Sequence, residues 1–175
     1  TTPNDPRFNE QWALNNTGQS GGTPDADIDA PEAWDLAKGG LTALGDTIVV
    51  AVIDGGAQLS HPDLNFWVNR FEIPNNSIDD DLNGYVDDYL GWNAYSNNGT
   101  PDGDSHGTHV SGIVAARGNN GAGVSGVNWN TKVMIISGSS SSEATVVAAY
   151  AFALEHRATY NETNGAKGAF VVATN

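Results

Sequence analysis

Thr47-Ile-Val-Val-Ala-Val-Ile-Asp-Gly-Gly56 is an unbroken, largely β-branched apolar run that stops at an acid and two glycines. A strand with one wet face alternates apolar and polar residues. A run without alternation belongs to a strand covered on both faces, as in a parallel sheet with helices above and below. Lys132-Val-Met-Ile-Ile136 and Ala169-Phe-Val-Val-Ala173 repeat the pattern. Between these runs lie two helical segments. His106 to Ala116 carries Gly107, Gly112, Ala115 and Ala116, small enough for close approach to a sheet. Glu143 to Arg157 places Val146, Val147, Tyr150 and Leu154 on one side, the expected packing face. Strand, helix, strand, helix, strand predicts an α/β fold: a layered, doubly wound, mostly parallel sheet flanked by helices.

The remaining sequence is turn-rich. Residues 1–28 hold Pro3, Pro6, Gly18, Gly21, Gly22 and Pro24 and are expected to drape over a surface rather than join a core. Asp29-Ala-Pro-Glu-Ala-Trp-Asp-Leu-Ala-Lys-Gly39 reads as a short helix, with Asp29 at its N-cap, Pro31 and Glu32 in the first turn and Gly39 as its stop. Residues 74–104 are too polar for a core element and form a long loop, which needs a reason to be ordered. No repeat or linker divides the chain, and 175 residues suit one domain.

Composition excludes several functions. Seven Lys and Arg stand against 21 Asp and Glu, a formal charge of −14, so phosphate backbones and anionic membranes are repelled and nucleic acid is not an expected partner. No cysteine is present, which removes disulfides, thiolate metal sites and a thiol nucleophile. No run reaches the length of a membrane span. The opening at Thr1, without methionine or a signal-like apolar stretch, is expected of a mature secreted product.

Asp54 closes the first buried strand, and the carboxyl edge of an open α/β sheet is where ligands and chemistry collect. Asp104-Ser-His-Gly-Thr-His-Val-Ser-Gly112 then opens a helix with His106 in its first turn. A carboxylate that accepts the ring N–H of a histidine fixes its tautomer and stabilises the imidazolium formed as the ring takes a proton from a nucleophile. Asp54 and His106 fit those two roles, with Gly107 leaving space for substrate. Taken singly, a turn-capping aspartate and a surface histidine explain each residue; together, with both flanks intact, the dyad explains them better. His106 and His109 could instead hold zinc. The zinc-protease pattern separates its histidines by four and places Glu after the first, where Gly107 stands here.

The other acids crowd Ile78-Asp-Asp-Asp-Leu-Asn-Gly-Tyr-Val-Asp-Asp88. Asp79, Asp81 and Asn83 alternate oxygen ligands as in calcium loops, Gly84 permits the turn, and the Tyr85 carbonyl falls at the next ligand position. Leu90 stands where a closing bidentate glutamate would be, so Asp88 or Asp87 must complete the shell. The competing reading is a solvated acidic loop.

Val50-Ala-Val-Ile-Asp-Gly-Gly56, His61-Pro-Asp-Leu64, His106-Gly-Thr-His-Val-Ser-Gly112 and Asn119-Asn-Gly-Ala-Gly-Val-Ser-Gly126 resemble the aspartate, calcium-loop and histidine motifs of the subtilisin-like serine proteases, in that family's order. Pro3-Asn-Asp-Pro6, Gln11-Trp12 and Ala30-Pro-Glu-Ala-Trp34 resemble the amino-terminal arm of its thermitase-like branch. The resemblance covers almost the whole chain and implies one incomplete peptidase domain over 1–175. It implies a secreted, calcium-stabilised endopeptidase in which Asp54 orients His106 and His106 serves as general base to a serine. It further implies a second calcium site from Asp5, Asp63, the Asn120 side chain and the carbonyls of Arg117, Ala122 and Val124. His109 becomes a packing residue, and Gly138, Ser139 and Ser140 a loop that lines polypeptide substrate; His156, within the second helical segment, is read as a helix-face residue.

Two departures qualify that picture. The family usually carries Ser or Thr after the catalytic aspartate, whereas Gly55 offers only its backbone. Neither the oxyanion-hole asparagine nor the Gly-Thr-Ser nucleophile motif occurs, and no serine here sits in a Gly-x-Ser-x-Gly turn. The expectation is an amino-terminal half that is inactive alone, whose partner is the carboxyl-terminal half of the same domain and whose open sheet edge invites self-association. A catalytically dead relative and a calcium-stabilised binding module are the alternatives.

Overall fold

The computed structural model describes residues 1–139 and 142–175. Four strands, β1 (Ile48–Asp54), β2 (Trp92–Asn93), β3 (Lys132–Ser137) and β4 (Phe170–Thr174), form one sheet in the order β2-β3-β1-β4. Every neighbouring pair is parallel, with Val52 beside Ile135 and Asp54 beside Ser137 in the central pair. Among the described residues three α-helices accompany them: α1 (Ala30–Leu36), α2 (Ser105–Ala115) and α3 (Glu143–Glu162). From β1 the chain runs to β2 at one edge of the sheet, passes through α2 to β3 between them, then returns through α3 to β4 on the other side.

That reversal puts the two helices on opposite faces, which is why β1 and β3 are apolar throughout. Val52, Val133 and Ile135 pack with Ala115 on the α2 face, backed by Val110 and Val114. Val49, Ala51, Ile53, Met134 and Ile136 pack with Ala149, Phe152 and Ala153 on the α3 face. Successive side chains point to opposite sides of a strand, so both sets are buried only in a three-layer arrangement. The doubly wound α/β reading is the observed fold.

Four details differ from the sequence reading. The arm does not merely drape: Phe8 and Leu14 join Ala30, Trp34 and Trp129 in a separate small core, where the Trp34 ring meets those of Phe8 and Trp129. Asp29 precedes α1 in a left-handed conformation and caps nothing with its side chain, and the helix ends at Leu36, before Gly39. The polar stretch 74–104 contains β2, and its Tyr85 and Trp92 rings pack edge-on to one another against Phe152. In α3 the packing face is Ala149-Phe152-Ala153-His156, an alternative stripe at the same helical spacing, while Val147, Tyr150 and Leu154 are 67%, 43% and 69% exposed.

Candidate active site

The carboxyl ends of β1 and β3 lie side by side, and α2 starts above them. Asp54 is therefore carried on the last residue of a buried strand, and His106 on the first turn of a helix packed against that strand. Close packing at this point depends on Gly107. A Cβ there would stand 2.0 Å from the Gly56 carbonyl oxygen and 3.0 Å from Asp54 Cβ. Gly107 is itself buried, so the space it leaves is filled by the protein rather than kept for substrate.

His106 Nδ1 lies 3.0 Å from Asp54 Oδ1 and 2.8 Å from Oδ2. An ionised carboxylate only accepts, so the proton sits on Nδ1 and the lone pair of Nε2 faces outward. The exposures match that division: the Asp54 side chain is 10% exposed and the His106 side chain 74%. The Asp54 hydrogen bond, followed by its charge, raises the pKa of His106 above the usual histidine value. Asp54 Oδ1 also accepts the Gly55 N–H at 2.7 Å, a backbone contribution where a hydroxyl would otherwise serve.

The Asp54 carbonyl accepts the N–H groups of Gly138 and Ser139 at 2.8 and 3.2 Å, so the loop leaving β3 is tied to the dyad strand. Ser139 is exposed, and its carbonyl accepts from the Tyr95 hydroxyl. Ser140 lies outside the described residues. His109, expected to pack, is exposed on α2.

A model of the subtilase family, Peptidase_S8, matches residues 45–168, which include β1, β2, α2, β3 and the whole of α3 together with both members of the dyad.

The chain belongs to the subtilase family.

Subtilisin-like protease 1 of Plasmodium berghei is 48% identical over 94 residues, covering 51% of this chain and 16% of that protein. Neuroendocrine convertase 2 of Homo sapiens is 38% identical over 132 residues, covering 74% of this chain and 18% of that protein. The chain thus spans less than a fifth of the length of these curated relatives. A serine protease of Aeromonas sobria, solved in complex with a chaperone, shares the fold, with a TM-score of 0.61 at 23% identity over 87% of this chain and 23% of that one.

In this subtilase two acidic centres accompany the dyad. Glu72, Asp79 and Asp81 each present a carboxylate oxygen within 4.8 Å of the others. Glu72 is a member that sequence reading missed, because it precedes the acidic run and only the loop's return brings it in. Its oxygens accept the N–H groups of Asp80, Asp81 and Asp87. Burial above all, with the charges of Asp88 and Asp81 adding to it, raises its pKa. Asn83 spends its side-chain oxygen on the Tyr85 N–H. Tyr85 directs its ring into the core.

Asp88, expected to close this shell, is not one of the three gathered acids. It is fully buried and accepts from Asn69 Nδ2 at 2.7 Å, Asn83 Nδ2 at 3.0 Å and His156 Nε2 at 2.9 Å. His156, read as a helix-face residue, is 2% exposed and edge-on to Trp67 and Phe152. Asp87 accepts the N–H groups of Asn76 and Ser77.

The second centre brings the arm to the loop after α2. Asp5 and Asp63 are 5% and 6% exposed. Asp5 accepts from Asn119 N at 2.6 Å and from Ser125 Oγ at 2.9 Å. Asp63 accepts from Asn120 Nδ2 at 2.6 Å and, through its backbone carbonyl, from Arg117 N at 2.9 Å. Ala122 N donates to Asn120 Oδ1 and Val124 N to Asp63 Oδ2. The arm also reaches this loop directly, with Arg7 N donating to the Gly123 carbonyl.

Proposed function

We propose that this chain is the dyad-bearing, amino-terminal portion of a calcium-stabilised subtilisin-like serine endopeptidase domain. Asp54 orients the ring of His106. The outward Nε2 takes the proton of a serine hydroxyl as that oxygen attacks a peptide carbonyl, then returns it to the leaving amine. The observation that carries the reading is the Asp54–His106 hydrogen bond, made by a buried carboxylate to an imidazole whose far side is open.

The nucleophile comes from outside these 175 residues. Ser111, Ser125 and Ser137 are buried, and their hydroxyl oxygens bond to the Gly107 carbonyl, Asp5 and the Asp102 N–H respectively. All three lie inside the protein, whereas the free side of the His106 ring faces solvent. Polypeptide is the substrate class, and Gly138, Ser139 and Ser140 border its binding edge. The carboxyl-terminal half of the same domain covers the exposed face of α3 and the open side of β4, where Val147, Tyr150, Leu154 and Val172 surround a groove of about 690 Å³. Unpartnered, that face would promote self-association. Secretion suits the acidic, cysteine-free composition, and among the described residues no helix is long and apolar enough to cross a membrane.

Calcium is the proposed ion for both acidic centres. Both donor sets are oxygen-rich, as a hard cation requires. No Lys, Arg or His ion pair reaches Asp5, Asp63, Glu72, Asp79 or Asp81 among the described residues. Buried carboxylates without a cationic partner are costly, and a divalent ion would offset that cost. Asp5, Asp63 and Asn120 would hold one ion with the carbonyls of Arg117, Ala122 and Val124. Glu72, Asp79 and Asp81 would hold the other. Each ion would fasten loops and take no part in the chemistry.

An active-site fluorophosphonate tests the catalytic reading. The isolated chain should take up no label, and the complete domain should be labelled on a serine outside residues 1–175. Specific labelling of any serine within the chain overturns the proposal.

A further inference from the structure

We infer that Asp104 is a positioning residue for the dyad: its carboxylate, seated over Gly55, caps the turn that carries His106 and presents a second negative charge to the imidazole. The inference rests on the catalytic reading of Asp54 and His106 and adds a third participant to it.

Asp104 is extended and precedes α2 as its N-cap, and Oδ2 accepts the Gly107 N–H at 3.2 Å. The Asp104 carbonyl accepts both the N–H and the hydroxyl of Thr108, and that hydroxyl oxygen accepts the Gln58 N–H at 2.8 Å. Capping alone is ordinary helix chemistry. Two further observations set Asp104 apart. Its carboxylate gathers with Asp54 and His106, one oxygen or nitrogen of each lying within 4.8 Å of the others. A Cβ on Gly55 would stand 2.8 Å from Asp104 Oδ2 and 3.1 Å from Cγ, so the missing side chain at 55 is what lets the carboxylate sit there.

Two carboxylates this close repel unless a positive charge lies with them. The arrangement therefore favours the imidazolium that appears during proton transfer, the state a general base must reach. The ionisable groups that face His106 are Asp54, from β1, and Asp104, from the cap of α2. Each raises its pKa, Asp54 through the hydrogen bond and charge and Asp104 through charge. The Gly107 N–H above all, then the His106 N–H, a side-chain hydrogen bond with Asp54 and the charge of His106, hold Asp104 below the usual carboxylate range. Both groups reach solvent, and salt should weaken the effect.

The test separates charge from capping. Asn caps a helix about as well as Asp, so Asp104→Asn preserves the turn and removes the charge. Titration of the His106 ring by NMR at low salt should show a midpoint lower by roughly 0.5 pH unit in D104N, and less in 1 M NaCl. Gly55→Ala should produce a similar shift by displacing Asp104, with residue 104 unchanged. In the complete domain, the acid limb of kcat/KM should move down with the NMR midpoint. A His106 midpoint unchanged in both variants reduces Asp104 to a cap and overturns the inference. Peptidase activity that survives His106→Ala would instead overturn the catalytic reading, a result the ring titration does not depend on.

Discussion

The molecule contains the same chemical pair twice, in opposite surroundings. Asp54 and Asp88 are both buried aspartates, bonded to a histidine nitrogen at 2.8 and 2.9 Å. The partner of Asp54 leaves three quarters of its side chain in solvent, whereas the partner of Asp88 is enclosed by the rings of Trp67 and Phe152. One imidazole can exchange a proton with a substrate. The other can only join the loop at 88 to helix α3. A carboxylate–histidine bond is thus no signature of catalysis by itself; access to the far ring nitrogen decides what it does.

Exchanging the losses should expose this division. In the complete domain, Asp54→Asn should lower kcat by about 10⁴-fold, because the ring then favours the wrong tautomer. His106→Ala should be at least as damaging to activity while leaving the midpoint of thermal unfolding almost unchanged, since the side chain is exposed. A large fall in melting temperature would break the comparison from the catalytic side.

His156→Leu should do the reverse. It leaves Asp88 buried with only the amides of Asn69 and Asn83 and should destabilise the chain by about 3 kcal/mol in urea unfolding. Wild-type stability in that variant would show that the enclosed pair contributes no net stability. A smaller effect is expected of chelation. With calcium at about 100 times its dissociation constant, its removal should lower the melting temperature by roughly 5 to 10 °C and open residues 1–25 to proteolysis. Glu72→Gln should reproduce part of that fall, and unchanged profiles would count against both ion sites.

The smallest difference concerns pH. The raised pKa of His106 means that the folded state binds a proton there more tightly than the unfolded state. Its contribution to stability is therefore complete below the unfolded pKa and is lost as pH rises through the folded one. In Asp54→Asn the ring should titrate at lower pH, which an NMR titration checks directly. A midpoint at or above that of the wild type would show that Asp54 is not its principal partner.

The contrast also marks what a sequence discloses. Asp54 and His106 were legible because each sits at the end of a regular element, where local pattern fixes both element and position. The doubly wound sheet was legible for the same reason, from apolar runs too uniform for a one-sided strand. His156 was not, because α3 carries two apolar stripes at helical spacing. Val146-Val147-Tyr150-Leu154 is the more hydrophobic, yet Ala149-Phe152-Ala153-His156 is the one that packs, its small residues admitting the sheet. Glu72 escaped because nothing local links it to Asp79 and Asp81. Asp88 was read as a ligand because spacing places it in a ligand series, while the fold turns it toward a histidine 68 residues away.

The fastening of the arm carries a consequence for how the chain assembles. Asp5 is held by Asn119 and Ser125, contacts separated by 114 and 120 positions along the sequence. Pairings so remote close late, after nearer elements have formed. The arm would then be secured last. In pulsed hydrogen exchange during refolding, Phe8 and Gln11 should gain protection only after Val52 and Ile135 have it.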